Sequence, residues 1–114
     1  MAKYFLVETW RPRPEWYALS KEQKSKFVEQ AGALLSGFVD KGAKVLGLGR
    51  CRALSESGWD ATGFWEMPNA EMVIELAEAV ERLGWNHYFD QINTVSSVSS
   101  PAEYFGSLLE DRRF

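Results

Sequence analysis

Lys3-Tyr4-Phe5-Leu6-Val7-Glu8-Thr9-Trp10 reads as a β-strand with neither face written for water. Side chains alternate across a strand, so Phe5 and Val7 fall on one face while Tyr4, Leu6 and Trp10 fall on the other, with Glu8 among them. A small antiparallel sheet normally covers one face with helices and leaves the other solvated. Here both faces need cover, which is the sequence argument for a partner subunit. Glu8 is an unusual charge for such a setting. Buried, its pKa rises or it pairs with Arg50 or Arg52; at a dimer seam it is ordinary.

Outward from this strand, Arg11 to Leu19 carries Pro12 and Pro14, which remove backbone donors, and it reads as a connecting loop. Trp16 and Tyr17 within it close the end of the core or touch a ligand, and Arg11 and Arg13 are solvated or stand at the mouth of an anion pocket. Ser20 with Gln23 forms a capping box. Phe27, Ala31, Leu34, Leu35 and Phe38 then make one apolar stripe of a helix over Lys21 to Lys41, ended by Gly42. Ala43 to Cys51 is a second strand. Its Gly47 and Gly49 leave one face bare, for a bulge, a close backbone approach or a ligand. Gly47-Leu48-Gly49 is no dinucleotide fingerprint, since no helix N-terminus follows.

Arg52 to Gly58 reads as a polar turn and Asp60 to Met67 as a third strand, with Phe64 and Trp65 on opposite faces; strands one and three therefore form the centre of the sheet. Asn69 caps a second helix whose stripe is Met72, Val73, Leu76, Ala77, Val80 and Leu83, ended by Gly84. Glu71, Glu75, Glu78 and Glu81 form its solvated face. Phe89 to Val98 is the fourth strand, Ser100-Pro101 opens a short terminal helix, and Glu110 to Phe114 is a frayed or partner-docked tail.

The candidate site gathers around Gly84-Trp85-Asn86-His87-Tyr88-Phe89-Asp90-Gln91-Ile92-Asn93, where polar and aromatic residues interleave without helical amphipathicity to explain them. His87, the lone histidine, fits a general base or an axial haem ligand, or a structural residue bonded to backbone at a helix end. Asp90 and Asn93 either orient it or cap the turn. The candidate catalytic residues are His87 and Asp90. Glu8, Trp16, Trp65, Trp85, Tyr88 and Asn93 are the candidate pocket residues. Cys51, with no helix N-terminus or base to activate it, reads as inert.

Composition bounds the function. The 114 residues suffice for one domain over 1–114, and 46% hydrophobic with 25% charged residues excludes a disordered chain. A net charge of −3 gives no positive field for phosphates, so no nucleic-acid partner is expected. No apolar run reaches a membrane span and no secretory signal precedes the first strand, which points to the cytoplasm. One cysteine and one histidine make no zinc set, so no metal and no cofactor are expected. Five tryptophans are more large apolar surface than one small core readily hides, which favours an interface or a ligand site.

The order strand, helix, strand, strand, helix, strand is that of an α+β, ferredoxin-like βαββαβ plait. Right-handed crossovers put both helices on one face of a four-stranded antiparallel sheet, and a homodimer closes the other. Pro14-Glu15-Trp16, Leu19-Ser20, Glu22 and Phe27, with Trp85, Tyr88 and Phe89 after the second helix, resemble darcynin-like and related uncharacterised bacterial domains of the dimeric α+β barrel superfamily. That superfamily includes cofactor-independent monooxygenases of aromatic polyketides, muconolactone isomerase and haem-degrading enzymes. The resemblance implies a fold, a dimer and a pocket between helices and sheet, and carries over no catalytic residue. Two functions follow: a cofactor-free enzyme, of monooxygenase or isomerase type, acting on an apolar or aromatic small molecule, or a non-catalytic binding or interaction homodimer.

Overall fold

A computed structural model describes residues 3–52 and 58–110. The expected turn at 53–57 and the tail at 111–114 lie outside the described residues. The element order is β1 (Tyr4–Pro12), α1 (Pro14–Tyr17), α2 (Lys21–Asp40), β2 (Lys44–Arg50), β3 (Ala61–Met67), α3 (Ala70–Leu83), α4 (Trp85–Tyr88), β4 (Phe89–Ser97) and α5 (Pro101–Leu109). The four strands form one sheet in the order β2-β3-β1-β4, with every neighbouring pair antiparallel. This is the α+β, ferredoxin-like arrangement expected from the sequence, with β1 and β3 at its centre.

Both long helices pack on one face. Phe38 from α2 and Met72 and Leu76 from α3 meet Leu6, Trp65 and Met67 of the central strands in a single buried cluster. Leu6 stands opposite Trp65 across the β1–β3 ladder, so these two buried side chains reinforce each other on the helix-covered side. The helix ends follow their local chemistry. Ser20 and Gln23 complete the capping box of α2, Asn69 accepts the Met72 N–H at the start of α3, and Gly84 ends α3 at a φ of 92°, a left-handed conformation that glycine adopts without strain.

Two stretches differ from the sequence expectation. Arg11 and Pro12 continue β1 rather than opening a loop. The β1–β3 ladder ends at Trp10–Ala61, so beyond it β1 pairs only with β4, through Arg11–Asp90 and Pro12–Phe89, and a proline costs nothing on the unpaired side. Pro14 then starts the one-turn α1, where its missing N–H is no loss. The second difference is α4, a single turn between Gly84 and β4 that the short Trp85–Tyr88 segment did not announce.

Among the described residues no helix covers the other sheet face. Phe5, Phe64 and Ile92 are exposed there, at 37%, 46% and 51%. A bulge interrupts β2 between Val45 and Gly47, and a side chain added at Gly47 or Gly49 would meet no atom of the described residues within 4 Å, so neither glycine makes a close backbone approach within the chain. Tyr104, Phe105, Leu108 and Leu109 of α5 are also exposed. The shortest dimension of the molecule is 20 Å, the thickness of one sheet with one helix layer.

Candidate functional site

Between the helices and the sheet lie two adjoining cavities that share Glu8, Val80 and Gln91. One, of about 210 Å³, runs between α3 and the β1–β4 half of the sheet and has a polar lining: Glu8, Glu81, Asn86, Gln91 and Asn93 against Leu6, Val73 and Leu76. The other, of about 80 Å³, lies between α2 and α3 and is walled by Trp10, Trp65, Trp85, Leu34, Leu35 and Leu83. Alternation along the strands brings these groups together. Glu8 pairs with Gly63 on one side and Asn93 on the other, and Trp10 pairs with Gln91, so all four point to the helix side of the sheet.

Glu8 is the centre of the arrangement. Trp65 Nε1 donates to Glu8 Oε1 at 2.6 Å, and Gln91 Nε2 donates to Glu8 Oε2 at 2.9 Å and to Asn93 Oδ1 at 2.7 Å. Both partners of the carboxyl are neutral. Burial pushes its pKa above the ordinary 4.5, and the hydrogen bonds from Trp65 and then Gln91 oppose that rise without cancelling it. A carboxyl of raised pKa that lines both cavities is placed to exchange a proton with a molecule in either. Arg50, a candidate partner of Glu8 in the sequence, instead pairs with Asp60 at 3.0 Å.

Glycine supplies the room for one wall. A Cβ at Gly63 would stand 2.8 Å from Leu48 Cδ2 and 3.1 and 3.3 Å from Trp10 ring atoms, so the Trp10 indole lies directly over this glycine. The Trp10 ring also meets Trp85 in a T-shaped contact, centroids 6.0 Å apart. Trp85 stacks on Phe89 at 4.1 Å and on Phe27 at 6.1 Å. Its Nε1–H is buried and finds no acceptor among the described residues.

Four of the six expected pocket residues, Glu8, Trp65, Trp85 and Asn93, line the cavities. Trp16 and Tyr88 do not. They pack in an aromatic cluster with Phe27 and Phe89 at the end of the core, with centroid distances of 5.0 to 6.0 Å. His87 is exposed in the last turn of α4, its ring edge-on to Tyr88 at 4.8 Å, and it lines neither cavity. Asp90 points to the other face of the sheet, where it meets Arg11 at 3.3 Å. The residues present therefore do not fit a haem held by this histidine. Arg13 bonds the Asn86 carbonyl at 3.2 Å and lies 3.5 Å from Glu15, so neither Arg11 nor Arg13 reaches the cavities. Gln91, Trp10, Asn86 and Glu81 were not singled out as site residues in the sequence. For Gln91 a signal existed, because it lies two residues before Asn93 and a strand repeats its face with that period.

Among the described residues no helix is long and apolar enough to cross a membrane, and no group of His, Cys, Asp or Glu is placed to hold a metal ion.

Fold and cavities together define an α+β, ferredoxin-like domain with a partly open space between its helices and its sheet. Residues 3–111 match the family described as "Family of unknown function (DUF6616)", and the chain belongs to that family. No curated protein matches the sequence. Among solved structures, a double mutant of chlorite dismutase from Candidatus Nitrospira defluvii is similar with a TM-score of 0.73 at 15% identity, over 87% of this chain and 41% of that one. The same enzyme in complex with imidazole gives 0.72 at 17% identity, over 87% and 41%. A single mutant gives 0.72 at 17%, over 91% and 43%. The chain thus spans about two fifths of the chlorite dismutase chains it resembles, and at these identities the likeness is one of fold.

Proposed function

We propose that this protein binds an apolar or aromatic small molecule in the space between helices and sheet and acts on it as a cofactor-independent enzyme, with Glu8 moving the proton. The observation that carries this reading is the Glu8 carboxyl, set between an aromatic and a polar cavity and held by two neutral donors. An isomerisation needs one group that takes a proton from one carbon and returns it to another, and a lone carboxyl of raised pKa suffices. A monooxygenase of the cofactor-free type starts with the same abstraction, with dioxygen as co-substrate. Trp65 and Gln91 orient the carboxyl, Asn93 orients Gln91, and Trp85 shapes the apolar wall. The exposed position of His87, and the pairing of Asp90 with Arg11 on the other sheet face, favour Glu8 over them as the proton-handling group.

The same proposal includes one domain over residues 1–114, a cytoplasmic bacterial setting and kinship with darcynin-like domains. It also includes a homodimer. Phe5, Phe64 and Ile92 on the bare sheet face, and the exposed apolar residues of α5, support a second copy as their cover, since apolar area removed from water contributes roughly 25 cal/mol per Å².

The test is turnover. A compound found by thermal-shift screening should be converted by the wild type and by His87→Ala, and not by Glu8→Gln. Conversion that survives Glu8→Gln and is lost in His87→Ala refutes the assignment. A second reading, a non-catalytic binding homodimer, is favoured by one feature: both Glu8 oxygens already accept a hydrogen bond within the protein. Binding without turnover would decide for it.

A further inference from the structure

The two cavities differ in what lines them, and the difference, resting on the pocket reading above, sets the build of a molecule that fills both. The larger is two-sided. Its α3 wall is apolar, made by Val73, Leu76, Ala77 and Val80, while the facing sheet contributes Glu8, Gln91 and Asn93 beside Leu6. Apart from Glu8 and Gln91, the smaller is walled by indoles and aliphatic side chains, among them Trp10, Trp65, Leu34 and Leu35. The cavities meet at Glu8, Val80 and Gln91, which line both. A molecule that reaches from one into the other therefore passes the carboxyl.

The hydrogen-bonding capacity left over on the sheet wall identifies a polar group. Gln91 Nε2 donates to Glu8 at 2.9 Å and to Asn93 Oδ1 at 2.7 Å, which engages both of its hydrogens. Among the described residues Gln91 Oε1 and Asn93 Nδ2 have no hydrogen-bond partner. One is an acceptor and the other a donor, so a group that both donates and accepts, a hydroxyl or a carboxamide, can pair with either. Asn93, like Glu81 and Asn86, is exposed, so such a group takes the place of water there. Volume bounds the rest. The larger cavity, of about 210 Å³, exceeds the roughly 150 Å³ that holds benzene and takes one ring with a substituent. The smaller, of about 80 Å³, takes no ring; at the roughly 30 Å³ of a water-sized group it takes about two or three carbons.

We propose that the ligand of this site is a single-ring compound that carries a hydroxyl or carboxamide group and a short alkyl branch of about two or three carbons. The ring lies between α3 and the sheet with its polar group toward Gln91 and Asn93. The branch enters the slot beside Trp10 and Trp65, and the junction of ring and branch stands beside Glu8.

The experiment titrates phenol, propylbenzene, meta-propylphenol and para-propylphenol in turn into the full chain labelled with nitrogen-15. It reads the indole signals of Trp10 and Trp65 and the side-chain amide signals of Gln91 and Asn93, each assigned by single substitution. Phenol should move the amide signals and propylbenzene the indole signals. The better of the two propylphenols should move both sets, and bind at least about tenfold more tightly than phenol through its buried branch. It should bind roughly three- to tenfold more tightly than propylbenzene, the effect of one neutral hydrogen bond. Ala31→Leu, which fills the slot from α2, should remove the advantage over phenol while phenol affinity stays, and Asn93→Ala should lower the advantage over propylbenzene while propylbenzene affinity stays. Propylphenols that move only one set of signals, that bind no more tightly than propylbenzene, or that bind Ala31→Leu as tightly as the wild type overturn this assignment and leave the pocket standing. If none of the four compounds moves any of these signals, the pocket reading falls together with this inference.

Discussion

Replacing Glu8 with glutamine should change how stability depends on pH, in a direction that the geometry fixes. The carboxyl has neutral partners only, Trp65 at 2.6 Å and Gln91 at 2.9 Å, and burial raises its pKa above 4.5. A group whose folded-state pKa is raised binds more protons folded than unfolded between the two pKa values. Stability from the protonated carboxyl is therefore complete below about pH 4.5 and is lost as pH rises through the folded-state value. One proton sets the limit of the effect: the wild type can lose at most about 1.4 kcal/mol per pH unit relative to Glu8→Gln inside that window, and nothing more above it.

The amide can keep the Trp65 bond through its oxygen, and a flip of Gln91, followed by the exposed Asn93, restores the rest. Below the window the two proteins should thus differ by no more than one net hydrogen bond, about 0.5–1.5 kcal/mol. Urea unfolding of both proteins from pH 4 to 8 gives the difference directly, and the exposed carboxylates, common to both, largely cancel. A difference that is flat, or that turns in favour of the wild type as pH rises, would show that the two N–H donors hold Glu8 ionised and that it is no proton reservoir.

Gly63→Ala places a methyl group 2.8 Å from Leu48 and 3.1 Å from Trp10, so it should cost roughly 1–3 kcal/mol in urea unfolding and tilt Trp10 into the aromatic cavity, quenching or shifting its fluorescence. Ser20→Ala breaks the capping box of α2 and should cost about 1 kcal/mol, with no change in ligand binding, because the cap lies outside both cavities. Phe64→Lys adds a charge to the bare sheet face; under the dimer proposal sedimentation should find a 13.0 kDa monomer for this variant and twice that mass for the wild type, and a wild type that already sediments as a monomer refutes the proposal.

The fold was legible because its decisive residues act locally. Ser20, Asn69 and Gly84 each fix a helix end through their own side chain or φ, and the period-two pattern of Tyr4 to Trp10 fixes which residues share a face, though not which face the helices cover. Pro12 was misread for a reason that is not local. Whether a proline is tolerated in a strand depends on whether a neighbour needs its N–H, and the early end of the β1–β3 ladder is a property of register that no residue near Pro12 records. The single turn of α4 was hidden similarly, since four residues carry no full period of a helical pattern.

The site was legible to a different depth, and the two candidate catalytic residues show why. His87 and Asp90 drew notice by chemical type, the first as the only imidazole and the second as its neighbour in sequence. Type says nothing of direction. Asp90 falls on the same face as Arg11 because Arg11 and Asp90 are cross-strand partners, and one residue further along Gln91 turns to Glu8. A shift of one position in a strand exchanges the cavity for the opposite face. The useful reading was therefore the one that combined type with parity. Alternation groups Glu8 with Leu6 and Trp10 and sets it opposite Asn93 without saying which face the helices cover; the structure puts that face under them, where the half-buried carboxyl meets the Trp65 indole.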